Sequence, residues 1–270
     1  MALSDAEVMY NLSLGLIGEY KVTEGDTTSK QAILCIRYYT EAQNEVLEDH
    51  PWNFAKRDVI LYEDTDRPLF GYDRKYAIPD DSARILTVDN QIGSDVSRKQ
   101  PGVPAWEPKS GYIHSDAGKT PPSWSSGKDY YDGQFFSYDS KTYEVLVTHT
   151  SDTTGATAAA QIAVDVAAGN IESKGGDYKI VYVEYIWKQT DMDEWSAKAK
   201  SALSIKLASK IVVGLTGDHK KKESLINEYE NLGIRQARSA DAAEGKPRPM
   251  FRSSWLAARY SGGTGDYYVT

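Results

Sequence analysis

Cysteine is nearly absent. One residue, Cys35, stands in 270, so no disulfide closes within a chain and packing alone must hold the fold, as in a reducing compartment. Cys35 falls among apolar helical positions and reads as a buried, inert thiol. The four histidines (His50, His114, His149, His219) show no metal-ligand spacing, and Cys35 offers them no partner. Asp191 and Asp193 lack the glycine and glutamate of a calcium loop, and helix capping explains them better. No metal or cofactor is expected. No Gly-x-Ser-x-Gly elbow occurs. Gly118-Lys119-Thr120 imitates a phosphate loop, but Ile113 stands where its first glycine belongs, and Pro121-Pro122 occupy the start of its helix. No catalytic residue is assigned. Positive charge is also in deficit: 31 Lys and Arg face 39 Asp and Glu, a net charge of −8, which argues against a generally basic nucleic-acid surface. No apolar run approaches the roughly 20 residues of a membrane span, and the first ten residues lack the basic and apolar regions of a signal peptide. A soluble chain with no membrane partner is expected.

What is present is patterning. The stretch 180–217 joins two elements. Residues 180–187, IVYVEYIW, are a β-branched and aromatic strand. Trp195, Ala199, Ala202, Leu203, Leu207, Ile211 and Leu215 then recur at helical spacing until Gly217 stops them. This helix lacks any nucleophile beside a base and is built to pack.

Residues 4–18 predict a helix opened by a Ser4–Glu7 capping box, with Val8, Leu12, Leu16 and Ile17 as its buried face. A second helix, 29–49, would bury Ile33, Ile36, Tyr39 or Thr40, and Val46 or Leu47, and end before Pro51. The two should form an antiparallel hairpin. Strands follow at 59–62, 72–79 and 83–88, then an irregular, proline-rich region over 90–123. Residues 124–173 read as an inserted small β-module of short strands and tight turns, with Asp139-Ser140 as a hairpin connection. Residues 218–244 predict one more helix, with Leu225, Ile226, Tyr229, Leu232, Gly233 and Ala237 inward. Its basic start, Lys220 to Lys222, reads as a solvated face, an acidic partner being the alternative. The tail 245–270 differs. Four cations against Asp266 give it +3, so the rest of the chain, at −8 overall, carries −11. Met250, Phe251, Trp255, Leu256 and Tyr260 beside arginines have the composition of an interface arm.

The expected fold is α+β. A bundle of about four helices (1–55 and 188–244) adjoins a β-rich domain (56–123 and 174–187). The inserted module (124–173) and an extended C-terminal arm (245–270) complete it.

The order of several short motifs carries a resemblance. His50-Pro51-Trp52-Asn53-Phe54-Ala55 ends the helix hairpin. Phe70-Gly71-Tyr72, Tyr76-Ala77-Ile78-Pro79-Asp80-Asp81 and Arg84-Ile85-Leu86 follow. Then come Tyr185-Ile186, Thr190-Asp191, Trp195, Ala202-Leu203, Leu207-Ala208 and Leu215-Thr216. Over residues 5–90 and 178–260 this resembles the head-to-tail adaptors of short-tailed bacteriophages, the tail tubular protein A-like or gatekeeper proteins. The resemblance implies a structural virion protein of the neck and not an enzyme, assembled in the host bacterial cytoplasm. It implies a homo-oligomeric ring, usually of twelve copies, between the portal protein and a nozzle or tail-tube protein. Genomic DNA would pass through the ring at ejection without sequence-specific contact. It further implies an arm that clasps the portal, here through Arg248, Phe251, Arg252, Trp255 and Arg259. The exposed side of the 195–215 helix is expected to meet a neighbouring subunit, with Lys198 and Lys206 as test positions.

The insertion departs from this pattern. It resembles small aromatic β-modules of phage tail proteins, distantly similar to chitin-binding modules. Trp124, Tyr130, Tyr138 and Tyr143 are therefore its candidate ligand or partner surface, the alternative being that they form a mini-core. A carbohydrate-binding or host-surface adhesion protein is the competing functional expectation.

Overall fold

A computed structural model describes residues 3–89, 105–151 and 157–244. Helices α1 (Asp5–Ile17) and α2 (Lys30–Asp49) open the chain. Helix α4 (Ala197–Thr216) is the axis they pack on, together with α5 (His219–Glu228) and α6 (Ile234–Glu244). The fold is α+β, and the bundle has four helical columns because α5 and α6 run on through a π-helical turn, Tyr229–Gly233.

The α4 sequence explains its place. Ser196 caps its first turn by accepting from the Ala199 amide, and Gly217 ends it in the left-handed conformation, with φ 73°. Trp195, Ala199, Ala202, Leu203, Leu207 and Ile211 are buried, as their spacing predicts, Leu215 is partly buried, and Ala208 joins the buried set. Small residues among the leucines let neighbouring helices approach closely.

Two other helices correct their expected faces. On α1, Met9, Tyr10 and Leu14 are buried, whereas Val8, Leu12 and Leu16 are exposed. On α2, Val46 and Leu47 are buried as expected, but Ile33 and Ile36 are exposed, and Ala32, Cys35 and Ala42 take the core side. Burial pushes the Cys35 thiol up to about 12, so the thiol stays protonated and unreactive. In the last column, Leu225, Tyr229, Ile234, Ala237 and Asp241 form the buried line. The five-residue step from Tyr229 to Ile234 matches the π turn. That step rotates Leu232 outward, where it is exposed rather than inner.

The segment after α2 ties the columns together. The Trp52 indole donates to the Val46 carbonyl (2.7 Å), and its ring stacks on Phe54, which leans on Trp195. Asp241 of α6 accepts from the Asn53 amide at 2.8 Å and lies 3.1 Å from His50 Nε2. The Asn53 side-chain amide donates to the Asp241 carbonyl at 2.7 Å. A motif that looked like a helix stop is thus the clamp between α2 and α6.

Strands β1 (Lys56–Tyr62), β2 (Arg74–Ala77) and β3 (Ser82–Asp89) occupy the expected places. The 90–123 region is less irregular than its prolines suggest. Residues 90–104 lie outside the described ones, but β4 (Trp106–Lys109) and β5 (Tyr112–Ser115) form a hairpin. Strand β11 (Ile180–Trp187) is central to an antiparallel sheet ordered β1-β11-β3, and β2-β5-β4 is a second sheet. Tyr76, Val88, Ile113, Val181 and Val183 fill the space between. Gly118 lies where the chain crosses that core. A Cβ there would come within 2.9 Å of Lys179 Cβ and of the Tyr76 hydroxyl. The glycine that imitates a phosphate loop is therefore a packing glycine.

The insertion has its own core. Strands β7 (Phe135–Tyr138), β8 (Lys141–Val145) and β10 (Ile171–Ser173) form one sheet, and β6 (Asp129–Tyr130) pairs with β9 (His149–Thr150). The module is not all β. The small-residue stretch folds as α3 (Ala158–Ala167), capped by Thr157, and Ile162 enters the core. His149 reaches Asp165 of α3 at 3.6 Å.

Candidate functional site

The outward sides of α1 and α2 depart from simple burial. Val8, Leu12 and Leu16 stand at successive four-residue steps, one above another on α1. They are 43%, 51% and 36% exposed, and Ile33 and Ile36 of α2 are 44% and 46% exposed. These five aliphatic side chains meet water in a single chain. Covering such side chains contributes on the order of 1 kcal/mol each, so the outward positions of each helix are suited to another protein surface.

The outer wall between α2 and α4 is of the opposite kind. An open cavity of about 440 Å³ there is lined by Glu45, Asp49, Lys206, Lys210, Tyr229 and Arg238, among others. Several of its charges pair within the chain. Lys206 and Lys210 reach Glu45 at 2.8 and 2.7 Å, and Lys210 also meets Glu41 at 2.9 Å. Burial favours the neutral amine of Lys210, but its bonds and attraction to Glu45 and Glu41 prevail and raise its pKa. Tyr229 donates to Asp49 at 2.6 Å. Burial first, and then that carboxylate, push the Tyr229 hydroxyl well above the usual tyrosine range. Lys206 is thus engaged inside its own chain with Glu45 and over the Tyr229 ring. The test position at Lys206 is corrected accordingly: its reversal would disturb the bundle before any neighbour. Lys198 is exposed and donates to the Gln236 side chain at 3.4 Å.

The structure also brings together residues that spacing kept apart. Carboxylate oxygens of Asp5, Asp191 and Asp193 lie within 4.8 Å of one another. All three are exposed, Asp191 already caps the Asp193 amide at 2.9 Å, and Asp5 sits in the first turn of α1, where the helix dipole favours an acidic group.

Of the four aromatic candidates in the insertion, two are corrected. Tyr130 is 1% and Tyr143 is 8% exposed, so both belong to the core, Tyr143 stacked on Phe136 at 5.3 Å. Trp124 and Tyr138 are half-buried and face each other edge-on at 6.4 Å, lining an open groove of about 340 Å³. Segment 121–124 is laid along β7 by backbone bonds from Trp124 to Ser137 and from Ser137 to Pro122, each 2.9 Å. Thr120, Asp139, Ser140 and Asp177 supply the groove's polar rim. Sequence reasoning found the two rings but missed the rim, because Thr120 and Asp177 come from outside the 124–173 segment.

The arm residues Arg248, Phe251, Arg252, Trp255 and Arg259 lie outside the described residues. No helix among the described residues is long and apolar enough to cross a membrane. No family model matches this sequence, and no curated protein matches it.

Proposed function

We propose that the protein is a structural subunit of a phage head-to-tail connector, a ring that joins the portal to the tail tube or nozzle and lets DNA through. The observation that carries this reading is the set of outward aliphatic residues, Val8, Leu12 and Leu16 of α1 and Ile33 and Ile36 of α2, which a lone copy leaves in water. A closed ring covers such residues with the next copy, and cyclic symmetry leaves no copy unpaired. The ordered set of motifs that resembles the adaptors supports the same reading. Those motifs occupy structural positions: His50, Trp52, Asn53 and Phe54 lock α2 to α6 and α4, and Trp195 receives Phe54. The charge balance is compatible as well. A body at −11 repels phosphate and lets DNA slide, whereas the +3 arm has the composition to grip a partner.

Electron microscopy of the purified protein, alone and mixed with portal, tests the proposal. Rings docked coaxially on the portal are expected. A chain that stays monomeric and ignores portal at high concentration would refute it. Removing residues 246–270 is expected to abolish docking while leaving the circular dichroism of the body unchanged. Docking that survives this deletion would refute the role assigned to the arm.

A further inference from the structure

The strand edges of this fold differ in how they are closed. A free edge offers unpaired backbone groups to any extended chain, and proteins blunt such edges with proline, short strands, irregular register or a covering segment. Among the described residues, β4 carries Pro108 and β10 has three residues. Strand β7 is covered by segment 121–124 through Ser137, and β3 has two register shifts against β11. Strand β1 has none of these devices. All seven of its residues pair with β11 in one unbroken register, without proline. The Glu63 amide donates to Lys179 on the β11 side at 2.8 Å, and the Asp64 amide donates to Lys75 on the other side at 2.9 Å. Backbone groups alternate along a strand, so those of Asp58 and Ile60 point away from β11. Among the described residues nothing bonds to them.

The side chains beside this edge carry an uncompensated charge. Val59 and Leu61 pack toward the second sheet, so Asp58 and Ile60 lie on the other side of β1. Asp58 stands directly opposite Glu184 of β11. Like charges in that position repel, and among the described residues neither carboxylate has an ion-pair partner. A cation on a strand added at the β1 edge would lie beside Asp58. The chain holds a cationic segment that starts nearby. Asp241 of α6 accepts from the Asn53 amide at 2.8 Å. Helix α6 ends one turn later, at Glu244, and β1 begins at Lys56, just after Asn53. Residues 245–270 therefore leave α6 within about 20 Å of the start of β1 and have a reach of ~80 Å, several times the ~20 Å length of the strand. They carry four cations against Asp266, and Arg252 and Arg259 each adjoin an aromatic residue, Phe251 and Tyr260. Neighbours in an extended chain point to opposite sides, so an arginine beside Asp58 puts its aromatic neighbour on the side of Val59 and Leu61. Residues 90–104, by contrast, follow Asp89 of β3, at the opposite edge of the same sheet.

We propose that the open edge of β1 is a docking site for the chain's own C-terminal segment, residues 246–270, added as an extended stretch with an arginine beside Asp58 and Glu184. The contact is made within one copy, so it does not rest on ring assembly. Portal docking, which uses the same segment, would vacate the edge.

The test is hydrogen exchange on the full chain, read amide by amide at a concentration where copies are dissociated. The Asp58 and Ile60 amides are expected to exchange at least tenfold more slowly than free amides of the same sequence. Arg252→Glu combined with Arg259→Glu should return both to within about threefold of the free rate. Asp58→Lys should do the same while raising the melting temperature, because the lysine side chain pairs with Glu184 and repels the arginines. If Asp58→Lys fails to fold, the arginine double variant carries the test, since it leaves the body untouched. A benzophenone amino acid in place of Tyr62, an exposed ring on the same strand, should cross-link to residues 246–270 of the same copy. The proposal is overturned if the Ile60 amide of the wild type exchanges at the free rate, or if its protection survives in the arginine double variant. It is also overturned if the cross-link maps to residues 90–104 or joins two copies.

Discussion

Helices α4 and α1 carry the same kind of apolar spacing and meet opposite environments. On α4 the line from Ala199 to Ile211 is buried on every neighbouring column. On α1 the line Val8-Leu12-Leu16 faces outward, and a second set, Met9, Tyr10 and Leu14, turns to α4. The difference lies in what covers each helix. On α4 the positions Ala202 to Ile205 and Leu207 to Ser209 are buried as continuous runs, because neighbouring helices cover the axis on most of its sides. Between Val8 and Ile17, α1 has no charged residue, so it offers two apolar sides, and the core accepts only one. Spacing reveals an apolar face without saying what covers it.

The largest effect is expected in the core. Leu207→Ala should destabilise the chain by about 2–5 kcal/mol, because it opens a cavity in the centre of the bundle. Urea unfolding measures this, and a loss below about 1 kcal/mol would show that α4 is not the axis. Leu12→Ser, at an equally hydrophobic position on the outer face, should change the stability of the dissociated chain by no more than about 0.5 kcal/mol.

The clamp after α2 gives an intermediate effect. Asp241→Ala removes the acceptor of the Asn53 amide and the neighbour of His50. Losing hydrogen bonds to a charged, buried acceptor costs about 1–3 kcal/mol, so urea midpoints should fall accordingly while the β core keeps its circular dichroism. An unchanged midpoint would remove the clamp from the account.

The smallest effect is a pH dependence of the same clamp. Burial holds His50 below the ordinary histidine value and outweighs Asp241, which favours the charged ring; Arg238 and Lys56 add to the depression. The unfolded chain therefore takes up this proton first as pH falls. Stability contributed by neutral His50 is full above about pH 6.5 and declines as pH drops toward the folded value. His50→Gln should flatten that part of the stability–pH curve. An identical decline in both proteins would place its origin elsewhere.

Much of this fold was legible because local signals and packing agree. The Ser4–Glu7 capping box, the Gly217 stop, the β11 strand and the Asp139-Ser140 hairpin all stand where the residues put them. Legibility failed where one pattern supports two outcomes. The small-residue stretch reads as part of a β-module, whereas it forms the Thr157-capped helix α3 that buries Ile162. The π turn inserts one residue into a regular stripe, which no fixed period describes. The β4–β5 hairpin was hidden by prolines, although Pro108 lies on an edge strand, where a missing donor is tolerated. Among candidate site residues, aromatic content alone did not separate Tyr130 and Tyr143, which fill the core, from Trp124 and Tyr138, which line the groove.

In the proposed ring a neighbouring copy covers the outward aliphatic residues of α1 and α2. Mass measurement by light scattering on the wild-type chain and on a Leu12→Asp, Ile36→Asp double variant tests it most directly. The account predicts a defined oligomer for the wild type, and a monomer with unchanged circular dichroism for the variant. A variant that assembles to the same mass as the wild type would contradict it.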